Sequence, residues 1–501
     1  MRLTGRDLST ADVVAVALGA RVELAEEARA AMSASVAAFA DAPNVLDQKR
    51  SYLLGDVRPG AEGLARSFIL GHCAGVGEPL PVPYVRAMIL CRANVLAHGA
   101  SGVRPELVDA LCALLNAGIT PVVPSQGSVG AAGDLAPLAH VARVLCGLGG
   151  AVIIDGERHS SSPLPAFDPT PKEALSLING ATLTVALAAV ALEQAETLLL
   201  ALESACAMSL EALRADLRCL SASAQQHRGQ PGAIATAERL RGLLEGSELW
   251  EEHRPPDAFS LRAAPAVIGA AWDAWAHCKE VVSRELNGAC DNPLWFSEEE
   301  GIVEAGNFHG APVALAMDYL RIALTQAATQ SERRSFRLTH GSINRELPSF
   351  LVEGTGLNSG FMLAQYTAAS LASECKGLCH PAVVDTIPTM QHQEDHVSMG
   401  PIAGRLCLRV LECVADIVGI EALLSAQALD FRREGWHFQN RQRLLGHPAR
   451  LGHGTEQRRS TVREATPFWH DDQILHPALR AVGGLVREGK LGGKSGWLGP
   501  A

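Results

Sequence analysis

A glycine-rich run sets out the most unusual chemistry this chain could do. It reads Gly127-Ser-Val-Gly130-Ala-Ala-Gly133-Asp134-Leu-Ala-Pro137-Leu-Ala-His140. Glycines at 127, 130 and 133 allow backbone turns that other residues resist. Asp134 stands where a helix can start, with Pro137 early in it and a mostly apolar run, Leu138 to Leu148, behind. At its plainest this is a tight loop before a helix. At its most functional it presents backbone at the positive end of a helix, where an anion or an electrophile is held. The spacing fits neither a phosphate loop nor a dinucleotide fingerprint. A second cluster, Cys375, Cys379 and His380, could share a helical face. Zinc needs about four ligands, no second pair is evident, and the expectation is packing without a metal.

The elements that must position such a loop are mainly helical. Between Gly180 and Gly229 there is no Gly or Pro, and the segment is rich in Ala, Leu and Glu. It predicts a long bundle helix, or two in line. Further long helices are expected from Val313 to about Arg334, Gly360 to Gly377 and Gly404 to about Arg433. The best short strand is Ala151-Val-Ile-Ile-Asp155. The stretch Asp41 to Gly63, with Pro43, Gly55, Pro59 and Gly60, reads as a loop or lid. Arg432 to Arg463 carries eight arginines and reads as a solvated surface excursion, with a basic patch for an acidic partner as the weaker alternative. The expected organisation is residues 1–180, 181–431 and 432–501.

Composition excludes several classes. The chain has 501 residues, a net charge of −11 and 48 % hydrophobic residues. That apolar fraction argues against disorder, and the acidic balance argues against nucleic acid as a partner. The N-terminus, Met1-Arg-Leu-Thr-Gly-Arg-Asp7, lacks a signal-type apolar core. The longest uncharged run, between Asp109 and Asp134, is broken by Pro121 and Pro124 and is not a spanning helix. Twelve scattered cysteines read as reduced thiols, giving a cytoplasmic protein with no membrane partner.

The glycine-rich run resembles the core motif of the histidine and aromatic amino acid ammonia-lyase family. Other blocks similar to that family are Gly71-His72-Cys-Ala-Gly75-Val-Gly77, Leu177-Ile-Asn179-Gly180, Phe259-Ser-Leu-Arg262 and Asp291-Asn292-Pro293. Gly306-Asn307-Phe308-His309, Ser331-Glu-Arg-Arg334, Asn358-Ser-Gly-Phe-Met362 and Gln393-Glu394-Asp395-His396-Val-Ser398 follow. The resemblance runs to Val486 and is weakest after Phe431. It implies a mainly α fold of fumarase/aspartase-like kind, with a long central helical bundle and few short strands. It also implies a homotetramer whose sites draw on three subunits, and an electrophile, the methylidene-imidazolone, made by cyclising an Ala-Ser-Gly tripeptide. The residues matching the family's pocket imply roles: Arg262 clamps a substrate carboxylate, Asn179 lies beside the electrophile, His72 faces an imidazole, and Phe259 and Phe308 line the pocket. Glu394 matches the acidic residue of histidine lyases, and His72 with Glu394 form a candidate acid–base pair. Each has a structural alternative: His72 and Asn179 as satisfied core polar groups, Arg262 as the partner of a buried carboxylate.

The sequence departs from the family pattern at three places. The tripeptide is Ala131-Ala132-Gly133, so residue 132 has no hydroxyl to leave as water. The family's Tyr-bearing loop would align near Ala42 to Lys49, where none of its motif is present; Tyr52 is the nearest tyrosine, at the wrong spacing. Pro256 and Phe259 stand where histidine lyases have Gln and Tyr. These changes lead to the expectation that no methylidene-imidazolone forms and that standard deamination is absent. Two functions then compete: an enzyme acting on a histidine-like or aromatic amino acid by another route, or an inactive relative that binds such a ligand or joins an active one in a mixed tetramer. A scaffold using Arg432 to Arg463 is a third.

Overall fold

A computed structural model describes residues 1–40, 63–253, 255–297, 299–390, 393–434, 436–437, 442–443, 448–494 and 496–497. Helices lead the architecture. In the N-terminal part they are α1 Thr10–Ala17, α2 Glu26–Ala40, α3 Leu64–His72, α4 Val82–Ala97, α5 Pro105–Asn116, α6 Leu135–Leu145 and α7 Pro171–Ile178. Then come α8 Thr182–Ala212, α9 Ala222–Arg228, α10 Pro231–Leu243, α11 Phe259–Arg262, α12 Ala264–Leu286 and α13 Ala311–Thr339. The C-terminal set is α14 Met362–Leu378, α15 Gly400–Arg433, α16 His453–Ala465 and α17 Leu475–Arg487.

The centre is a bundle in which α15 packs against both α13 and α8, with α12 and α14 alongside. Helix α8 is apolar nearly all round and almost wholly buried, which is the pattern of a helix surrounded by others. It is long and apolar enough to cross a membrane, yet its apolar window is 83 % buried inside this fold. One continuous apolar core runs from Leu3 to Leu491.

The helix-rich segment after Gly180 is interrupted. Helix α8 ends at Ala212, a 3-10 turn spans Leu217–Leu220, and α9 follows. Arg214 sits at φ +48° and the Asp216 carboxylate accepts the Arg218 N–H. Backbone strain and a side-chain cap make this break, so a scan for Gly and Pro passes over it.

Strands are short. Val76–Pro79 (β1) pairs antiparallel with Pro124–Gln126 (β3). Thr120–Pro121 (β2), Val152–Ile154 (β4) and Glu157–His159 (β5) form a three-stranded sheet in the order β2-β4-β5. The strand expected at Ala151 to Asp155 is therefore β4.

The arginine-rich stretch is largely turned inward. Arg432 is fully buried and donates to the Ala212 and Asn344 carbonyls. Arg459 and Arg463 share the Asp430 carboxylate. Arg433 and Arg450 remain exposed. This corrects the surface-excursion reading for the described residues, and it leaves little free charge for an acidic partner. The lid region from Asp41 to Glu62, with Ala42 to Lys49 and Tyr52, lies outside the described residues.

Candidate active site

The glycine-rich run folds as a strained turn whose wall is the start of α8. Ala131 and Gly133 face each other across an antiparallel bridge, and Gly133 pairs with Gly180. The Asp134 N–H donates to the Gly180 carbonyl at 2.8 Å, and the Gly180 N–H to the Ala132 carbonyl at 3.2 Å. Gly133 has φ +86°, and a Cβ added there would lie 2.2 Å from the Gly180 backbone. Only glycine allows that approach. Ala131 is buried and Ala132 is half-buried.

Asp134 stands at the cap position of α6 yet makes no side-chain cap there. Its carboxylate reaches instead to the first turn of α8, accepting the Thr184 N–H at 2.7 Å and the Thr184 hydroxyl at 3.3 Å. It thus answers the positive end of a different helix from the one its sequence position suggests. Burial pushes the Asp134 carboxyl up to about 6, against the donors at Thr184 and Ser128.

The segments carrying Phe308 and Glu394 close over this turn. Ser398 and Met399 donate from their backbone N–H groups to the Gly130 and Val129 carbonyls, and the Ser398 hydroxyl donates to Gly130. His309 and His396 stack with ring centroids 5.5 Å apart, which ties the Phe308 segment to the Glu394 segment. A Cβ on Gly310 would lie 2.8 Å from Ala181, so the start of α13 meets the start of α8. Glu394 is half-buried and its Oε2 accepts the Thr389 hydroxyl at 2.7 Å.

Asn179 caps α7, 2 % exposed. Its Nδ2 donates to the Asn292 carbonyl at 2.8 Å, while its Oδ1 has no hydrogen-bond partner among the described residues. A buried amide oxygen left unpaired is an acceptor waiting for a donor. His72 ends α3. Its Nδ1 donates to the Phe68 carbonyl at 2.7 Å, so in the neutral ring Nε2 is the acceptor. The following residues touch the motif loop, because Gly75 packs on Gly127 and β1 pairs with β3.

Phe259 and Arg262 lie elsewhere in the same chain. Both are exposed, with the Arg262 guanidinium 4.7 Å from the Phe259 ring centre. Helix α11, which carries them, is bonded to α13 near its far end: Gln330 donates to the Phe259 carbonyl and Arg334 to the Ser260 carbonyl. Gly310, by contrast, touches the site. At 1.5 Å per residue, those ends of α13 are roughly 30 Å apart. Arg262 pairs with no buried carboxylate among the described residues. Ser398, Thr184, His309 and His396 were not assigned roles from sequence, although three of them lie in the quoted blocks.

The comparisons with known proteins bear on this arrangement. A family model described as aromatic amino acid lyase matches residues 8–464. The chain belongs to the aromatic amino acid lyase family. Among its relatives in that family is a histidine ammonia-lyase from Anaeromyxobacter sp. (strain K), 44 % identical over 98 % of this chain and 99 % of the other. The solved histidine ammonia-lyase of Trypanosoma cruzi is 35 % identical with a TM-score of 0.84, covering 98 % and 94 % of the two chains. A tyrosine aminomutase from Streptomyces globisporus is 31 % identical with a TM-score of 0.87, over 98 % and 97 %. The mainly helical lyase fold is therefore the fold of this chain.

Family membership corrects one expectation. The absence of a methylidene-imidazolone was inferred from the Ala132 side chain. Against it stands a match over nearly the whole chain to proteins named histidine ammonia-lyases, in a family that carries this group. The backbone here fits the group: the bridge brings residues 131 and 133 together, and Gly133 is seated on Gly180 with no room for a side chain. Residue 132 brings a methyl where the family motif has a hydroxyl. The Ala131–Gly133 backbone, braced by Gly180 and Asp134, is the part of this chain that would hold the group.

Proposed function

We propose that this aromatic amino acid lyase acts on histidine, or an amino acid of the same build, in a site assembled from several copies of the chain in a homotetramer. The observation carrying this reading is the meeting of the Glu394 segment, Asn179 and the Ala131–Gly133 turn at the joined starts of α8 and α13, together with the 44 % identity to a histidine ammonia-lyase. The group expected of the family would be held by the Ala131–Gly133 backbone and would supply an electrophilic carbon that activates the substrate. The chain's own residues bind, orient and move protons. Arg262 grips the substrate carboxylate, for which a planar guanidinium is suited to two parallel hydrogen bonds. The unpaired Oδ1 of Asn179 accepts an N–H of the substrate amine. His72 Nε2 and the Glu394 carboxylate face the imidazole and exchange protons with it. Phe259 and Phe308 supply apolar walls.

The separation of Arg262 from the motif turn favours assembly from several copies, since one side chain cannot span roughly 30 Å. An uncovered apolar stripe points the same way. Leu315, Tyr319 and Ile322 recur on one face of α13, and Leu363 and Tyr366 stand exposed on α14. Such a face on a long helix is a contact surface. The mixed-oligomer reading drew on lost chemistry, and no observation favours it.

The test is urocanate absorbance on adding histidine, with phenylalanine and tyrosine for comparison. Histidine is expected to be turned over fastest; turnover of none of the three overturns the reading. In parallel, peptide mass across residues 131–133 reads the turn. Ring closure registers as loss of one water and a linear mass shows an open turn; the family's exocyclic methylene takes a second loss from the side chain at 132, which an alanine methyl cannot give as water.

A further inference from the structure

Behind the wall of the motif turn lies a buried charged hub that the proposed chemistry does not use. A Cβ on Gly180 would lie 2.4 Å from the Cys290 carbonyl oxygen and 2.5 Å from Arg92 Nη1. Arg92, from α4, is fully buried. Its Nη1 donates to the Cys290 carbonyl at 3.1 Å, and its Nη2 lies 3.5 Å from Asp291 Oδ2. Asp291 is 0 % exposed. It accepts the Ser176 hydroxyl at 2.8 Å and its neighbour Asn292 N–H at 2.8 Å, with Lys172 Nζ at 3.5 Å. Lys172 also donates to Ser176 at 2.7 Å. The hub therefore clamps residues 290–292 to α4 and α7.

Those three residues in turn hold the site. The Asn292 carbonyl accepts Asn179 Nδ2, and Cys290 Sγ accepts the Ala181 N–H at 3.2 Å. The Gly180 carbonyl, between those two anchors, accepts the Asp134 N–H. A buried ion pair contributes little net stability against an apolar pair of the same volume. Its use here is geometric.

We infer that Arg92 and Asp291 are positioning residues, which set the Asn179 carboxamide and the Gly180 wall of the motif turn through the segment 290–292. Neither touches the substrate. The inference rests on the reading of Asn179 and the turn as the reacting site. A small displacement of groups around a reacting centre costs about 10²-fold in rate, which is the reason to hold this segment by charge.

The experiment compares the full-length protein with Asp291→Asn and with the double variant Arg92→Met/Asp291→Asn. The single change strands a buried guanidinium and lowers the melting temperature. The double change removes both partners and recovers part of it, Lys172 keeping its charge beside residue 291. If the pair positions the site, the double variant still loses about 10²-fold in kcat on histidine with KM little changed. Amide hydrogen exchange at Asp134, Gly180, Ala181 and Thr184 becomes about tenfold faster or more, while the middle of α8 is unaffected. A kcat that returns with the melting temperature, or unchanged protection at those four amides, overturns the inference. Where the parent protein turns over no histidine, the functional reading fails, and hydrogen exchange alone decides the positioning role.

Discussion

Gly133 and Asp134 show how much one position carries here. An alanine at 133 would place its Cβ 2.2–2.4 Å from three backbone atoms of Gly180. Backbone cannot swing aside as a flexible side chain can, and φ +86° is itself strained for any other residue. Gly133→Ala is expected to lose at least about 1–3 kcal/mol from strain alone, read by chemical denaturation; unchanged stability would show that the turn is not seated as described. Asp134 makes a pH prediction. Burial raises its carboxyl from 3.8 to about 6. Between those values the folded protein holds more protons than the unfolded chain, so stability falls as pH rises through this window. The contribution is absent below the unfolded value and amounts to a cost of about 3 kcal/mol above pH 6. Asp134→Asn is expected to remove this slope. Melting curves from pH 4 to 6 that fall equally in both proteins would refute it.

Among the helices, an ion pair binds the centre of the bundle. Arg334 on α13 and Glu421 on α15 are both 0 % exposed, and Ser209 of α8 donates to the same carboxylate. Three long helices thus meet at one charge. Removing only one partner leaves the other uncompensated in the core. Arg334→Met alone is expected to destabilise by about 3–5 kcal/mol, whereas Arg334→Met with Glu421→Leu returns most of that loss. Denaturant midpoints of the two variants check it, and equal losses would show that the pair acts only by packing. Arg334 also donates to the Ser260 carbonyl, so the same residue steadies the segment that presents Phe259 and Arg262.

For the whole molecule, the length of α13 separates the two parts of the proposed site. Its start meets the motif turn and its far end carries the Arg262 segment. If sites draw on several copies, two variants each lacking one contribution can repair one another. His72→Ala and Arg262→Ala are each expected to turn over histidine poorly. Refolded together, they regain a measurable share of the parent rate, because some sites then take His72 and Arg262 from unaltered copies. Persistent inactivity of the mixture, with both variants assembling normally, would place His72 and Arg262 in one subunit. The exposed stripe Leu315, Tyr319 and Ile322 gives a matching test: charged residues there are expected to lower the oligomeric state in sedimentation.

The helical architecture and the turns and helices that carry the candidate site are legible because they depend on local facts. Glycine spacing at 127–133 announces a turn that needs positive φ, and uninterrupted Ala, Leu and Glu announce α8. The break after Ala212 was hidden, since Arg214 and Asp216 make it without Gly or Pro. The arginines after Phe431 looked like surface, because their partners Asp430 and the Ala212 carbonyl come from α15 and α8. Asp134 was legible as a helix-cap position, but its true partner, Thr184, is fifty residues away. Sequence by itself determined which backbone can turn and which segments can coil, because sterics and propensity act between near neighbours. Only the tertiary structure decided that Asn179 and the Glu394 segment meet at the motif turn while Arg262 is carried roughly 30 Å away. That choice is made by packing between long helices, which no local pattern records.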